Sequence, residues 1–426
     1  MASRPLATRF TCGLGILTVT VVAGWLLTAA PRADQQVGAK SIQVPSVAAP
    51  QVTAPQVEAP VTAQSRGHAQ SGLDSAISAI DRSITADFAK DGVGGLSIGV
   101  VSGNQLVWSK HYGYADAETK RRPDNNTDYR IGSITKQFTA LAMLQLVEQG
   151  RMRLSDPIET YVPEVKSVKD PRAGTPPITL LQVATMHSGL AREPECAMPS
   201  VSPVSAWQQY VLDCLPQTRY VNEPGTTYLY SNFGYATLGL AIDRAGQQPF
   251  IDQVDQRILA PLGMARSAMD ATPLVLENVA HGYQRAADGT ASRAAGGHEL
   301  EGRGYRVPSG ALFSTITDLA KFAAWELGVG PAGILKKETQ DANYGRAFFY
   351  NPTLTAAYGV GFFVQRSGDI VMLGHDGGVA GFQSSLYVHR PSRMGVIVLR
   401  NCDSCPVGTG AVATRALEQL VTAKGK

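Results

Sequence analysis

Extended, alternating segments stand at the two ends of the globular part of this sequence, and helical patterns fill most of what lies between. Near the start, Gly95-Leu-Ser-Ile-Gly-Val-Val101 and Gln105-Leu-Val-Trp-Ser-Lys-His-Tyr112 flank Ser102-Gly103-Asn104 and predict a β-hairpin. Near the end, residues 359–365, 369–373, 383–389 and 395–400 predict four more strands. Strands separated by a long helical stretch must find each other through space. The expected class is therefore α+β, one antiparallel sheet completed by the C-terminus, with a helical subdomain inserted. Helices close both ends: Leu73, Ile77, Ile80, Ile84 and Phe88 recur at helical spacing before Gly92, and a last helix runs from about Gly410 to Thr422. The folded domain is expected over residues 72–426.

Two segments precede it. Residues 1–33 read as a targeting segment: Arg4 and Arg9 come before an uncharged run from Phe10 to Ala30. That run is about the length that crosses a bilayer, roughly twenty residues. It is either a cleaved signal peptide or a membrane anchor. The one small-residue cleavage site, Thr28-Ala29-Ala30, is followed by Pro31, which favours an anchor with its N-terminus in the cytoplasm. Residues 34–71 read as a spacer, because Pro45, Pro50, Pro55 and Pro60 recur among Ala, Val, Gln and Thr with too little large apolar surface to fold. The expected location is the bacterial periplasm or cell exterior, with residues 10–30 holding the protein at the inner membrane. A net charge of +3, with charges of both signs mixed along the chain, argues against nucleic acid as a partner. The cysteines of the domain allow two readings: local disulfides Cys196–Cys214 and Cys402–Cys405 in an oxidising compartment, or free thiols. No second Cys or His pair stands near Cys402-Asp-Ser-Cys405 at zinc-like spacing, so no metal is expected.

The chemistry centres on Ser133-Ile-Thr-Lys136 at the start of an apolar helix that reaches Gly150. Residues three apart share a helix face, so the Lys136 amine can reach the Ser133 hydroxyl. A lysine in an apolar, cationic surrounding loses basicity and can then serve as a base toward a serine nucleophile. Alone, Ser-x-x-Lys is a common accident, and a helix-capping serine with a solvated lysine explains it as well. Two further groups add weight. Tyr230-Ser-Asn232 lies at the entrance of the helix from Phe233, where a buried phenol can relay a proton and Asn232 can hold Lys136 or a substrate carbonyl. His375-Asp376-Gly377-Gly378 follows a strand, and its glycines let backbone approach a ligand, with an N–H available to an oxyanion. A second His-x-Gly, His187-Ser-Gly189, reads as a helix end.

These three motifs, in this order, resemble those of the penicillin-recognising serine hydrolases, in particular the class C β-lactamase, DD-peptidase and esterase group. The resemblance covers roughly residues 72 to 424 and includes Leu180 to Leu190 and Ser309 to Leu319. It implies a β-lactamase-like fold and acylation of Ser133, with Lys136 as base and Tyr230 as proton relay. It also implies an oxyanion hole formed by the N–H groups of Ser133 and Gly378, with Asn232, His375 and Gly377 at the substrate. No cofactor is implied. One departure bears on the substrate, because Asp376 stands where the family usually has Thr. Facing the groove, it would repel the carboxylate of a penicillin or a D-Ala-D-Ala peptide. That favours a small ester, amide or D-amino-acid peptide, cell-wall peptide among them, over efficient β-lactam hydrolysis. A class C-type β-lactamase is the alternative, and a membrane-tethered, non-catalytic scaffold of the same fold is the alternative from another class. The sequence leaves the oligomeric state open.

Overall fold

A computed structural model describes residues 63–169, 174–197, 202–294, 300 and 302–425. The expected targeting segment, including the run at 10–30, and the spacer as far as residue 62 lie outside the described residues. Among the described residues no helix is long and apolar enough to cross a membrane.

The six expected strands form, and two very short ones extend the same sheet. In chain order the strands are β1 (Gly95–Ser102), β2 (Gln105–Gly113), β3 (Phe348–Phe349), β4 (Ala356–Tyr358), β5 (Phe363–Ser367), β6 (Ile370–Val379), β7 (Phe382–His389) and β8 (Met394–Arg400). Their spatial order is β2-β1-β8-β7-β6-β5-β4-β3, antiparallel throughout. The N-terminal hairpin joins the C-terminal strands along β1 and β8, from Leu96 opposite Arg400 to Ser102 opposite Met394.

Alternation along these strands explains the layering. Ile98, Val100, Val396 and Val398 bury one face of the sheet against the terminal helices Ala63–Asp91 and Thr409–Lys424, through Ile80, Ile84, Leu417 and Leu420. Leu386, Ile397 and Leu399 point the other way and join the core that holds Phe138 of helix Thr135–Glu148 and Phe322 of helix Ile316–Glu326, whose rings stack at 4.3 Å. The result is an α+β fold with a large antiparallel sheet between helices.

Three boundaries differ from expectation. The first helix begins at Ala63, within the stretch read as spacer. The strand expected from Gly359 starts at Phe363, because the Gly359 N–H donates to the Phe362 carbonyl and closes residues 359–362 into a tight turn. The strand expected to stop at Leu373 continues to Val379, so the His375-Asp376-Gly377-Gly378 motif lies within β6. Both cysteine pairs are disulfide-bonded, with Cα–Cα separations of 5.4 Å for Cys196–Cys214 and 5.8 Å for Cys402–Cys405.

Candidate active site

Ser133 sits on a short 3-10 turn, Gly132–Ile134, that runs directly into the buried helix Thr135–Glu148. Thr135 braces this turn, since its hydroxyl donates to the Gly132 carbonyl at 2.7 Å and accepts from the Leu312 N–H. The helix after it is buried on nearly every face, so the turn projects from a rigid base. Lys136 is fully buried. Its Nζ donates to Ser133 Oγ at 3.1 Å, to Asn232 Oδ1 at 2.8 Å and to the Ser309 carbonyl at 2.8 Å. Burial drives its pKa well below that of a free lysine; Glu193 opposes this, while Arg192, Arg303 and Arg306 reinforce it.

Tyr230 approaches from the entrance of helix Asn232–Gly246, where the Ser231 hydroxyl caps the Gly234 N–H at 2.9 Å. Burial pushes its pKa up and keeps the phenol protonated, while the nearby Ser133 hydroxyl opposes this. Lys136 Nζ lies 4.9 Å from its ring centroid on one side, and the Arg192 guanidinium lies 4.9 Å from it as well. Asn232 links two charges: its Oδ1 takes Lys136, and its Nδ2 donates to Glu193 Oε1 at 2.6 Å.

Strand β6 passes the turn on the other side. A Cβ at Gly377 would lie 2.0 Å from the Ile131 carbonyl oxygen, and one at Gly132, whose φ is +49°, would lie 2.7 Å from the Gly378 nitrogen. Glycine at both positions lets two backbones touch, and that contact sets the Gly378 amide beside Ser133. Gly378 is exposed and Ser133 half-buried, so solvent and small molecules reach this corner.

The two side chains before Gly377 face opposite ways. His375 points inward and is 1% exposed, with Nε2 accepting from the Tyr358 hydroxyl at 3.0 Å and Nδ1 donating to the Asp376 carbonyl. Burial and the neighbouring Lys136 push its pKa down to about 3, so it is neutral and packed among the rings of Tyr230, Tyr358 and Phe363. Its ring therefore shapes the site from below. Asp376 projects from the opposite face of β6, where Ser385 donates to Oδ1 at 2.6 Å and Tyr387 to Oδ2 at 2.9 Å. The expectation that depends on Asp376 facing the groove with a free carboxylate is corrected: both oxygens are engaged on the other face, and the repulsion argument against a substrate carboxylate lapses.

All seven expected site residues thus converge on one corner. The sequence reading missed the charged rim around it. Glu193 accepts from Tyr305 and Arg306 on Oε2, the latter at 3.2 Å through Nη2. Arg192 and Glu193 belong to an irregular loop, and Arg303 stands at the N-cap of the short 3-10 turn Gly304–Arg306 that carries Tyr305 and Arg306. Pro gathers at 193–203 and Gly at 286–304 in the sequence, which marks both stretches as irregular and says nothing of where their side chains go.

A family model described as Beta-lactamase matches residues 80–420. The protein flp of Staphylococcus aureus is 26% identical over 326 residues, 76% of this chain and 63% of that protein. The chain therefore spans less than two thirds of the length of its staphylococcal relatives. A human beta-lactamase-like protein is 28% identical over 368 residues, 82% of this chain and 69% of that one. Among solved structures, the octameric penicillin-binding protein homologue from Pyrococcus abyssi superposes with a TM-score of 0.69 at 26% identity, covering 81% of this chain and 77% of that one. A β-lactamase/D-alanine carboxypeptidase from Yersinia pestis, complexed with citrate, shares the fold with a TM-score of 0.64 at 24% identity, over 80% and 95% of the two chains.

Proposed function

Because this chain belongs to the β-lactamase family of serine hydrolases, we propose that it is an exported hydrolase that cleaves a small ester, amide or D-amino-acid peptide through an acyl-enzyme on Ser133. The observation that carries this reading is the pairing on Ser133: a fully buried lysine amine 3.1 Å from its oxygen, and a protonated tyrosine whose phenol the same hydroxyl influences. Opposite shifts assign the roles. Lys136, driven down, is the base that takes the Ser133 proton as Oγ attacks the substrate carbonyl. Tyr230, driven up, stays a phenol and hands a proton to the departing oxygen or nitrogen while regaining one from Lys136. The negative charge on the carbonyl oxygen falls to the N–H groups of Ser133 and Gly378. Water then attacks the acyl carbon, gives its proton to the same relay, and releases the acid and free Ser133.

The two disulfides support export, because such bonds persist in oxidising compartments. On this reading the protein works in the periplasm or outside the cell, tethered through residues 10–30, with the proline-rich spacer giving it reach to cell-wall peptide. With Asp376 turned away, penicillin stays within the substrate range. The test is turnover by the full-length protein of a p-nitrophenyl ester and of a penicillin, with Ser133→Ala alongside. Ester hydrolysis that disappears in the variant supports the hydrolase; a lasting penicillin adduct narrows it to the peptidase kind, and rapid penicillin turnover to the lactamase kind. A folded protein inert toward both returns the chain to the scaffold reading.

A further inference from the structure

Three arginines surround the serine corner, and none of them belongs to the motifs that identify it. Arg192 packs over Tyr230, while Arg303 and Arg306 come from a segment more than a hundred residues later. All three act on the buried Lys136 amine as like charges, and Glu193 opposes them. Glu193 is already engaged. Its Oε2 takes Tyr305 and Arg306, and its Oε1 takes Asn232.

Arg303 is the residue without an answer. It is more than half buried, yet among the described residues it makes no ion pair, and its Nε is buried without any hydrogen-bond partner. Burial and the neighbouring Arg306 push its pKa down to about 10, which leaves it charged at neutral pH. Its position is informative. A point one Cβ out from Gly310 is 3.9 Å from Arg303 Nη2 and 3.8 Å from the Gly132 carbonyl carbon, so only the space beside Gly310 separates the guanidinium from the turn that carries Ser133. Gly378 meets the same Gly132 from β6, so the Gly378 amide and, across the Gly310 position, Arg303 both stand near the nucleophile turn. A partly buried guanidinium with no ion pair among the described residues is costly to hold, and its planar fork matches a carboxylate.

We propose that Arg303, supported by Arg192 and Arg306, binds a carboxylate on the acyl part of the substrate, so that this site prefers acyl donors derived from dicarboxylic acids or from acidic residues. This rests on the hydrolase reading above and names its substrate class. The carbonyl lies between Ser133 and Gly378, the leaving group departs beside Tyr230, and the acyl chain runs past Gly310 toward Arg303. The preference is electrostatic and bidentate, so salt weakens it and a lysine in place of Arg303 restores it only in part.

The experiment compares two p-nitrophenyl esters of equal chain length with the full-length protein: mono-p-nitrophenyl glutarate, which carries an acyl carboxylate, and p-nitrophenyl pentanoate, which does not. The wild type should favour the glutarate ester by tenfold or more in kcat/KM. Arg303→Gln should bring that ratio close to one, and Arg303→Lys should leave it in between; using the ratio removes any loss common to both esters. A wild-type ratio near or below one, with the pentanoate ester hydrolysed, overturns the subsite and leaves the hydrolase standing. Loss of both activities marks failure of the hydrolase reading, and a measurement without turnover then decides the subsite. Calorimetric titration of monomethyl glutarate into Ser133→Ala should show binding that weakens at least tenfold in Ser133→Ala/Arg303→Gln. Equal affinity in the two, or no binding to the first, overturns the proposal.

Discussion

Lys136 is where sequence, burial and chemistry meet. Three acceptors hold its amine in one place, and burial, reinforced by the surrounding arginines, makes it far easier to deprotonate than a free lysine. Lys136→Met keeps the apolar stem and removes the base, so kcat/KM on an ester should fall by about a thousandfold, within the range for general-base catalysis; steady-state assays of folded variant and wild type decide this. The pH profile follows from the sign of the shift. Since the neutral amine is the active form and its pKa lies well below 10.5, wild-type kcat/KM should rise with pH through an apparent pKa far under that of a free lysine. A profile that climbs only near pH 10 contradicts this. At this scale the sequence was legible wherever the chemistry demands fixed spacing: Ser133 with Lys136 on one turn, and Tyr230 with Asn232 at a helix entrance. It was silent on Arg192, Glu193, Arg303 and Arg306, which lie in a loop and at a three-residue 3-10 turn, too short for any periodicity to report a direction. The face taken by Asp376 was unreadable for a related reason, since parity along a strand is undefined until the strand is known to continue past Leu373.

Among the elements, the contact between β6 and the nucleophile turn governs the site. Gly377→Ala would drive a methyl to 2.0 Å from the Ile131 carbonyl oxygen and 2.3 Å from Ser384 Oγ. Something must shift, at a cost of about 1–3 kcal/mol by the usual penalty for overpacking, and the Gly378 amide shifts with it. Thermal denaturation and ester kinetics should both decline; wild-type values for both would show that this contact is not what sets the site. Behind the same helix, burial raises the Glu326 carboxyl from 4.5 to about 8, with Gln137 Nε2 donating to it at 2.6 Å. The folded chain then holds this proton more tightly than the unfolded chain does. Stability should therefore fall as pH rises from 4.5 toward 8, at roughly 1.4 kcal/mol per pH unit at the steepest. Glu326→Gln should flatten that portion of the curve in denaturant melts across the range, and an unchanged slope would sink the assignment. The strands and terminal helices were legible because their apolar periods are strong. The added strands β3 and β4 were not, being two and three residues long.

For the whole molecule, the N-terminal hairpin and the C-terminal strands form one sheet, the terminal helices cover one of its faces, and the inserted helices bring the second motif to the serine. The Cys196–Cys214 bond closes an 18-residue separation immediately after Arg192 and Glu193, so it steadies the rim of the site as well as the fold. A loop of that size contributes about 3 kcal/mol through the unfolded chain. Cys196→Ser/Cys214→Ser should lose about that much in denaturant unfolding, and added reductant should destabilise the wild type but spare the variant far more. Equal stability of the two under oxidising conditions would contradict the bond's contribution. The central claim is covalent chemistry at one serine. Rapid acid quenching of the full-length protein with excess p-nitrophenyl ester, followed by digestion and mass spectrometry, reads it directly. The account predicts one acyl group on the peptide that contains Ser133 and none in Ser133→Ala; an adduct on another residue, or one that survives the substitution, would contradict it.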